Sequence, residues 1–91
     1  MISATDFDQS VGQTFIVETN GKMVALELSA VKRIARSPRD GGGFSLLFKG
    51  PPEMLLPQGT YRFVGSELAQ DIFIVPVSSD QTGYTYEAVF N

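Results

Sequence analysis

The sequence predicts an all-β protein, a meander of about six short strands with a short N-terminal helix, arranged as an antiparallel barrel or sandwich. Apolar residues recur with a period of two in several separate runs, which is the spacing of side chains along half-buried strands. Glycine, proline, asparagine and aspartate residues separate these runs at short intervals, as turns do in barrels and sandwiches. The 91 residues are one domain's length, so residues 1–91 are predicted to form a single β-barrel-like domain.

Composition narrows the possible functions. The sequence contains seven Phe, three Tyr and no Trp, so aromatic rings should dominate a small core. It contains no cysteine and no histidine, which excludes disulfides, thiolate metal sites and catalytic pairs that need His. We therefore expect no enzymatic activity and no cofactor. A net charge of −3 also argues against nonspecific binding to phosphate backbones.

The first element should be a short helix. Thr5 is the predicted N-cap, and Phe7 and Val11 are predicted to share one face. Gly12 should end it. Asp6 and Asp8 lie near the positive end of the helix dipole, which favours acidic residues. This explains the two aspartates more simply than a shared cation does.

The next two runs predict a hairpin. Residues 13–18 are mostly β-branched or aromatic, and Asn20-Gly21 is a strong signal for a tight hairpin turn. The following run alternates cleanly from Val24 and extends to Ile34. Its apolar phase shifts by one residue near Ser29-Ala30, which predicts a β-bulge.

Four further strands and strand connections follow. The strands are predicted at residues 44–49, 60–64, 71–77 and 84–90. Pro76 cannot donate a ladder hydrogen bond, so it should lie at an edge, an end or a bulge. Asp71 and Asp80 are predicted to be turn residues. The link from Gly50 to Gly59 carries three apolar residues and should pack over the barrel mouth or a sheet edge.

Four basic residues form the best indication of anion binding: Lys32, Arg33, Arg36 and Arg39. No aromatic residue is interleaved with them, so a platform for stacking bases is lacking. A solvated strand end and loop is the preferred interpretation. The three glycines at 41–43 are interpreted as a flexible linker, because a phosphate-binding loop would need a following helix.

Two strands are more apolar than a half-solvated sheet requires. Residues 72–75 are apolar on both faces, and Leu47 points opposite to Phe44, Leu46 and Phe48. Either the link and the helix cover the second face, or a partner does. Leu47, Phe73 and Val75 are therefore the candidate interaction surface.

Several stretches resemble a bacterial family of short proteins of unknown function. The resemblance is carried by FSLLFKGP at 44–51, LPQGTY at 56–61, FIVPV at 73–77 and YEAVFN at 86–91, and by the opening Phe7…Gly12-Gln13-Thr14-Phe15. The resemblance implies no activity. It does imply a weak association of the family with genes for phage-tail-like proteins of the tail-collar type. The run from Gly21 to Leu28 also resembles the start of an Sm-like core, although that family's second glycine-basic signature is missing.

These observations favour a structural or protein-interaction module that self-associates or docks on a larger assembly. The alternative is an Sm-like or SH3-like barrel that binds nucleic acid or another anion through residues 32–39. The N-terminus lacks the features of a signal peptide, and no run is long enough to span a membrane. We therefore expect a cytoplasmic protein, with export by a signal-independent route as the alternative.

Overall fold

One helix and six strands make up the described part of the chain. The computed structural model describes residues 4–34, 43–66 and 68–90. The elements are α1 (Thr5–Asp8), β1 (Thr14–Thr19), β2 (Lys22–Ile34), β3 (Gly43–Gly50), β4 (Gly59–Val64), β5 (Ala69–Asp80) and β6 (Gly83–Phe90). The predicted fold class, an antiparallel six-stranded sheet with a short N-terminal helix, is confirmed.

The strands form one sheet in the order β1-β2-β3-β6-β5-β4. The order departs from a continuous meander at one place, because β3 pairs with β6 instead of β4. The sheet thus consists of two three-stranded meanders, β1–β3 and β4–β6, each continuous in sequence. They join through the long β3–β6 ladder, which runs from Phe44↔Phe90 to Gly50↔Tyr84.

A second junction brings the two edges of the sheet together. β1 pairs with β4 at Ile16↔Val64 and Val17↔Phe63. This contact, which we call the seam, is much shorter than the β3–β6 ladder. The sheet is therefore barrel-like, with its narrowest connection at the seam.

The predicted first hairpin is present in full. β1 and β2 pair from Thr14↔Glu27 to Thr19↔Lys22. Asn20 has φ 51° and Gly21 has φ 76°, the left-handed backbone that a type I′ turn needs at both central positions. Both predicted irregularities also occur, since the register shifts between Leu28 and Ala30 and again between Pro76 and Ser78.

Aromatic rings dominate the core, as the composition predicts. One cluster joins Phe15, Phe48 and Phe63, with ring centroids 5.9 Å apart for Phe15–Phe48 and 4.7 Å apart for Phe48–Phe63. A second cluster lies under the helix, where the ring centroids of Phe7 and Phe44 are 6.2 Å apart.

Helix α1 differs from the prediction in two respects. Ala4, not Thr5, occupies the N-cap position, and the helix spans only Thr5–Asp8. Phe7 is fully buried, as expected, but Val11 lies beyond the helix and is exposed. Because the helix has only one turn, Val11 is not part of it, and the spacing of four residues from Phe7 does not place both side chains on one helical face.

The link between β3 and β4 packs against the core through two of its three apolar side chains. Leu56 is buried, and its backbone N–H donates a 2.9 Å hydrogen bond to the Tyr86 hydroxyl oxygen. Met54 packs partly against the core, whereas Leu55 is exposed. The predicted packing is confirmed for Met54 and Leu56 and is wrong for Leu55.

The two aspartates predicted in turns have different positions. Asp80 ends β5, and its carboxylate accepts hydrogen bonds from the Thr82 backbone N–H (2.8 Å) and hydroxyl (2.6 Å). Asp71 lies inside β5 opposite Arg62, so the prediction of a turn there is wrong. Its side chain accepts a 3.3 Å hydrogen bond from Arg62.

Candidate functional site

The three candidate interaction residues all project from the outer face of the sheet. Leu46 and Phe48 are buried on either side of Leu47, and Ile72 and Ile74 are buried on either side of Phe73. Because successive side chains in a strand point to opposite faces, Leu47, Phe73 and Val75 must point outward. Leu47 and Val75 are partly buried, and Phe73 is exposed.

The structure brings these residues to one side of the molecule without making them adjacent. Val75 pairs with Glu87 on β6, and Glu87 pairs with Leu47 on β3. A carboxylate-bearing residue therefore separates Leu47 from Val75. Phe73 lies two residues from Val75 on the same outer face of β5.

Phe73 has an apolar neighbour that was not among the predicted interaction residues. The β5–β6 ladder ends at Val75↔Glu87, and two residues beyond it on each strand lie Phe73 and Val89. Both side chains are 52% exposed. Phe73, Val75 and Val89, with Leu47 on β3, form what we call the β5–β6 patch. Val89 could have been found from the alternation of the last strand, in which it points opposite to Ala88.

Neither of the two elements expected to cover this surface does so. Phe7 of the helix packs against Phe44 in the core, and Leu56 of the link reaches Tyr86. Phe44 and Tyr86 face inward, away from Phe73. Half of the Phe73 side chain consequently remains open to solvent in the described part of the chain.

The basic cluster is divided by the strand geometry. Lys32 and Arg33 are successive residues of β2, so their side chains leave opposite faces. Arg33 donates a 2.5 Å hydrogen bond to the Asp8 carboxylate of the helix. This hydrogen bond, with the attraction of the carboxylate charge, raises the pKa of the Arg33 guanidinium. Arg36 and Arg39 lie outside the described residues.

A groove on the outer face of the seam was not predicted. It has a volume of about 340 Å³ and is lined by Ile16, Glu18, Met23, Arg62 and Val64. We call it the seam groove. Each lining residue is at an outward position of an alternating run, but sequence alone does not show that β4 lies beside β1.

A second depression lies between the helix and the β4–β5 turn. It measures about 280 Å³ and is lined mainly by polar side chains: Asp6, Gln9, Ser10, Gln13, Ser66 and Leu68. Hydrogen bonds within it join Gln13 to the Gln9 carbonyl and Ser66 to Gln13. The described residues contain no group of three or more Asp, Glu, His or Cys side chains placed to hold a metal ion.

Comparison with known proteins places the chain in a family. A family model described as a domain of unknown function (DUF6916) matches residues 2–90, so the chain belongs to this family. No curated protein and no solved structure matches it. Among the described residues, no helix has the length and apolar character needed to cross a membrane.

Proposed function

We propose that this chain is a non-catalytic interaction module that docks on another protein through the β5–β6 patch. The observation that carries the proposal is the exposure of Phe73. Its ring is half open to solvent in the middle of a strand, although Ile72 and Ile74 on either side of it are fully buried.

The surroundings of Phe73 support a protein partner over a small ligand. Val75 and Val89 extend the apolar surface along two strands, and Glu87 adds a polar position beside them. A central aromatic side chain with a partly polar surround is typical of protein interfaces. Covering the exposed half of Phe73 would contribute about 1 kcal/mol to binding, so neighbouring contacts must supply the rest.

The kind of assembly is the finer part of the proposal. The motifs FSLLFKGP and LPQGTY resemble a bacterial family of short proteins of unknown function. Because that family has a weak association with genes for phage-tail-like proteins, we propose such an assembly as the first place to seek the partner. An exposed apolar surface of this kind is typical of sites where one protein docks on another, as subunits of an assembly do.

Binding of nucleic acid or another anion through residues 32–39 is the second candidate. Lys32 is exposed on the outer face, but Arg33 is already paired with Asp8. We therefore rank this function below protein docking. Salt separates the two, because phosphate binding weakens steeply with salt and apolar association does not.

The proposal can be tested by comparing Phe73→Asp with the unaltered protein in affinity purification from the native organism. Because Phe73 is half exposed, the variant should fold, which circular dichroism and thermal unfolding would verify. We expect the unaltered chain to bind a reproducible set of partner proteins and to retain them at high salt. The Phe73→Asp variant should no longer bind these proteins.

Val11→Asp is the matched control. Val11 is also an exposed apolar residue, but it lies in the turn after the helix and outside the patch. The same proteins should therefore remain bound to this variant. If no protein distinguishes Phe73→Asp from Val11→Asp, the β5–β6 patch is not the docking surface.

A further inference from the structure

We propose that the seam groove is a self-complementary surface through which two copies of this chain form a symmetric dimer. The groove is centred on β1, which lies three strands from β6 in either direction around the sheet. It therefore faces away from the β5–β6 patch, and the inference does not depend on the proposed function.

The lining residues are arranged in two levels across the seam. Ile16 and Val64 are direct partners in the β1–β4 pairing. Glu18 lies two residues along β1, and Arg62 lies two residues along β4 in the antiparallel direction. The second level thus has an acid on one side of the seam and a base on the other, next to an apolar first level.

This arrangement matches itself after a two-fold rotation. An axis that runs parallel to the strands between β1 and β4 exchanges the two sides of the seam and keeps each level in place. It puts Ile16 of one copy over Val64 of the other, and Glu18 over Arg62. Two-fold interfaces require this property, since each patch must complement its own copy.

The apolar part of the groove favours association. Met23 borders the groove and is 75% exposed, the highest value among the large apolar side chains described. Ile16 and Val64 are also exposed. Covering these three side chains would remove the most accessible apolar surface of β1, β2 and β4 from water.

The charged residues can change partners at little cost. Arg62 pairs with Asp71 within the chain, over 3.3 Å, and both side chains are 61% exposed. Exposed pairs of this kind contribute little to stability, so Arg62 is able to contact Glu18 of a second copy. Five residues form a small contact, so we expect a weak, concentration-dependent dimer.

The first experiment is the molar mass of the unaltered chain by light scattering and sedimentation over a concentration series. We expect a monomer–dimer equilibrium. Met23→Glu should weaken the dimer about tenfold or more, because it replaces the most exposed apolar side chain of the groove with a carboxylate beside Glu18, its partner in the β1–β2 pairing. A chain that remains monomeric up to its solubility limit would overturn the proposal.

A charge-reversal pair tests the two-fold geometry itself. Glu18→Arg alone should weaken its own dimer about tenfold or more, as should Arg62→Glu alone, because each places like charges in contact twice. When the two variants are mixed, both charged contacts become complementary. A one-to-one mixture should therefore form a heterodimer about as stable as the original dimer.

Restoration by mixing could not arise from contacts within one chain, since each variant keeps its own altered charges. Glu53→Arg is the matched control, because it makes the same charge change at an exposed residue of the link and should leave the dimer unaffected. A dimer that is insensitive to the single reversals, or variants that stay monomeric when mixed, would place the interface elsewhere and overturn the proposal. Phe73→Asp should not change the molar mass, so this result is separable from that of partner docking.

Discussion

The hydroxyl group of Tyr86 is a polar group held within the apolar core. The Tyr86 side chain is fully buried, and its oxygen accepts the backbone hydrogen bond from Leu56. Burial raises the pKa of this phenol. The bond fixes the link to β6, because the Leu56 N–H has no route to water while its side chain is buried.

We predict that Tyr86→Phe lowers the free energy of unfolding by about 1–3 kcal/mol, since it leaves the buried Leu56 N–H without an acceptor. Urea unfolding followed by circular dichroism measures the change. Tyr61→Phe is the control, because the Tyr61 hydroxyl donates to the Pro57 carbonyl at an exposed position, where water can replace it. If both variants lose the same free energy of unfolding, the hydrogen bond from Leu56 contributes no more than an exposed one.

At the scale of single residues, the sequence predicted burial better than it predicted partners. Alternation placed Val24, Leu26 and Leu28 inward, and all three are buried. It could not show that Arg33 would reach Asp8, 25 positions away in sequence. Such contacts depend on where the helix lies against the sheet, and helix α1 has too few residues for its pattern to define that position.

The β5–β6 hairpin is held by a charged turn. The Asp80 carboxylate accepts hydrogen bonds from Thr82 and from the Lys49 ammonium, at 3.0 and 3.1 Å. The hydrogen bond from the Thr82 hydroxyl, followed by that from Lys49, lowers the pKa of Asp80 well below its usual range. The ionised form of Asp80 therefore stabilises the turn.

The lowered pKa of Asp80 makes the stability of the folded chain depend on pH. A carboxyl group with a lowered pKa in the folded state contributes stability above its unfolded pKa, about 4, and loses it as the pH falls further. We predict that Asp80→Asn is less stable than the unaltered protein at about pH 6 and that the difference shrinks towards about pH 2.

Denaturant unfolding at several pH values measures this difference. Thr82→Val removes the hydroxyl donor and should reduce the pH dependence, whereas it should leave Asp80 paired with Lys49. If the difference in free energy of unfolding between Asp80→Asn and the unaltered chain stays constant over the whole pH range, ionised Asp80 does not stabilise the turn.

The elements themselves were largely predictable, because strands of this sheet bury one face and expose the other. Both bulges were visible in the sequence, one as a change of apolar phase near Ser29 and one as Pro76. The strand order was not visible. Alternation shows which way a side chain points but not which strand lies beside it. The pairing of β3 with β6 places Leu47 in the β5–β6 patch, and the pairing of β1 with β4 forms the seam groove.

At the scale of the molecule, β6 connects the two halves of the sheet. It pairs with β3 on one side and β5 on the other, and it contributes Tyr86 and Ala88 to the core. We predict that deletion of residues 86–91 makes the protein insoluble, because it exposes two strand edges beside an open apolar core.

Expression of this truncated chain in parallel with the full chain, followed by measurement of the soluble fraction, tests the prediction. Circular dichroism of any soluble material would show whether the sheet persists. A folded, soluble truncated chain would contradict the barrel-like arrangement.

The unequal junctions of the sheet determine how the molecule opens. The β3–β6 junction extends over a whole strand, whereas the seam joins β1 to β4 at two adjacent positions. We therefore expect the two halves to separate first at the seam, while β3 and β6 stay paired. Phe15 and Phe63, whose ring centroids are 6.4 Å apart across this boundary, would then be the first core rings to meet water.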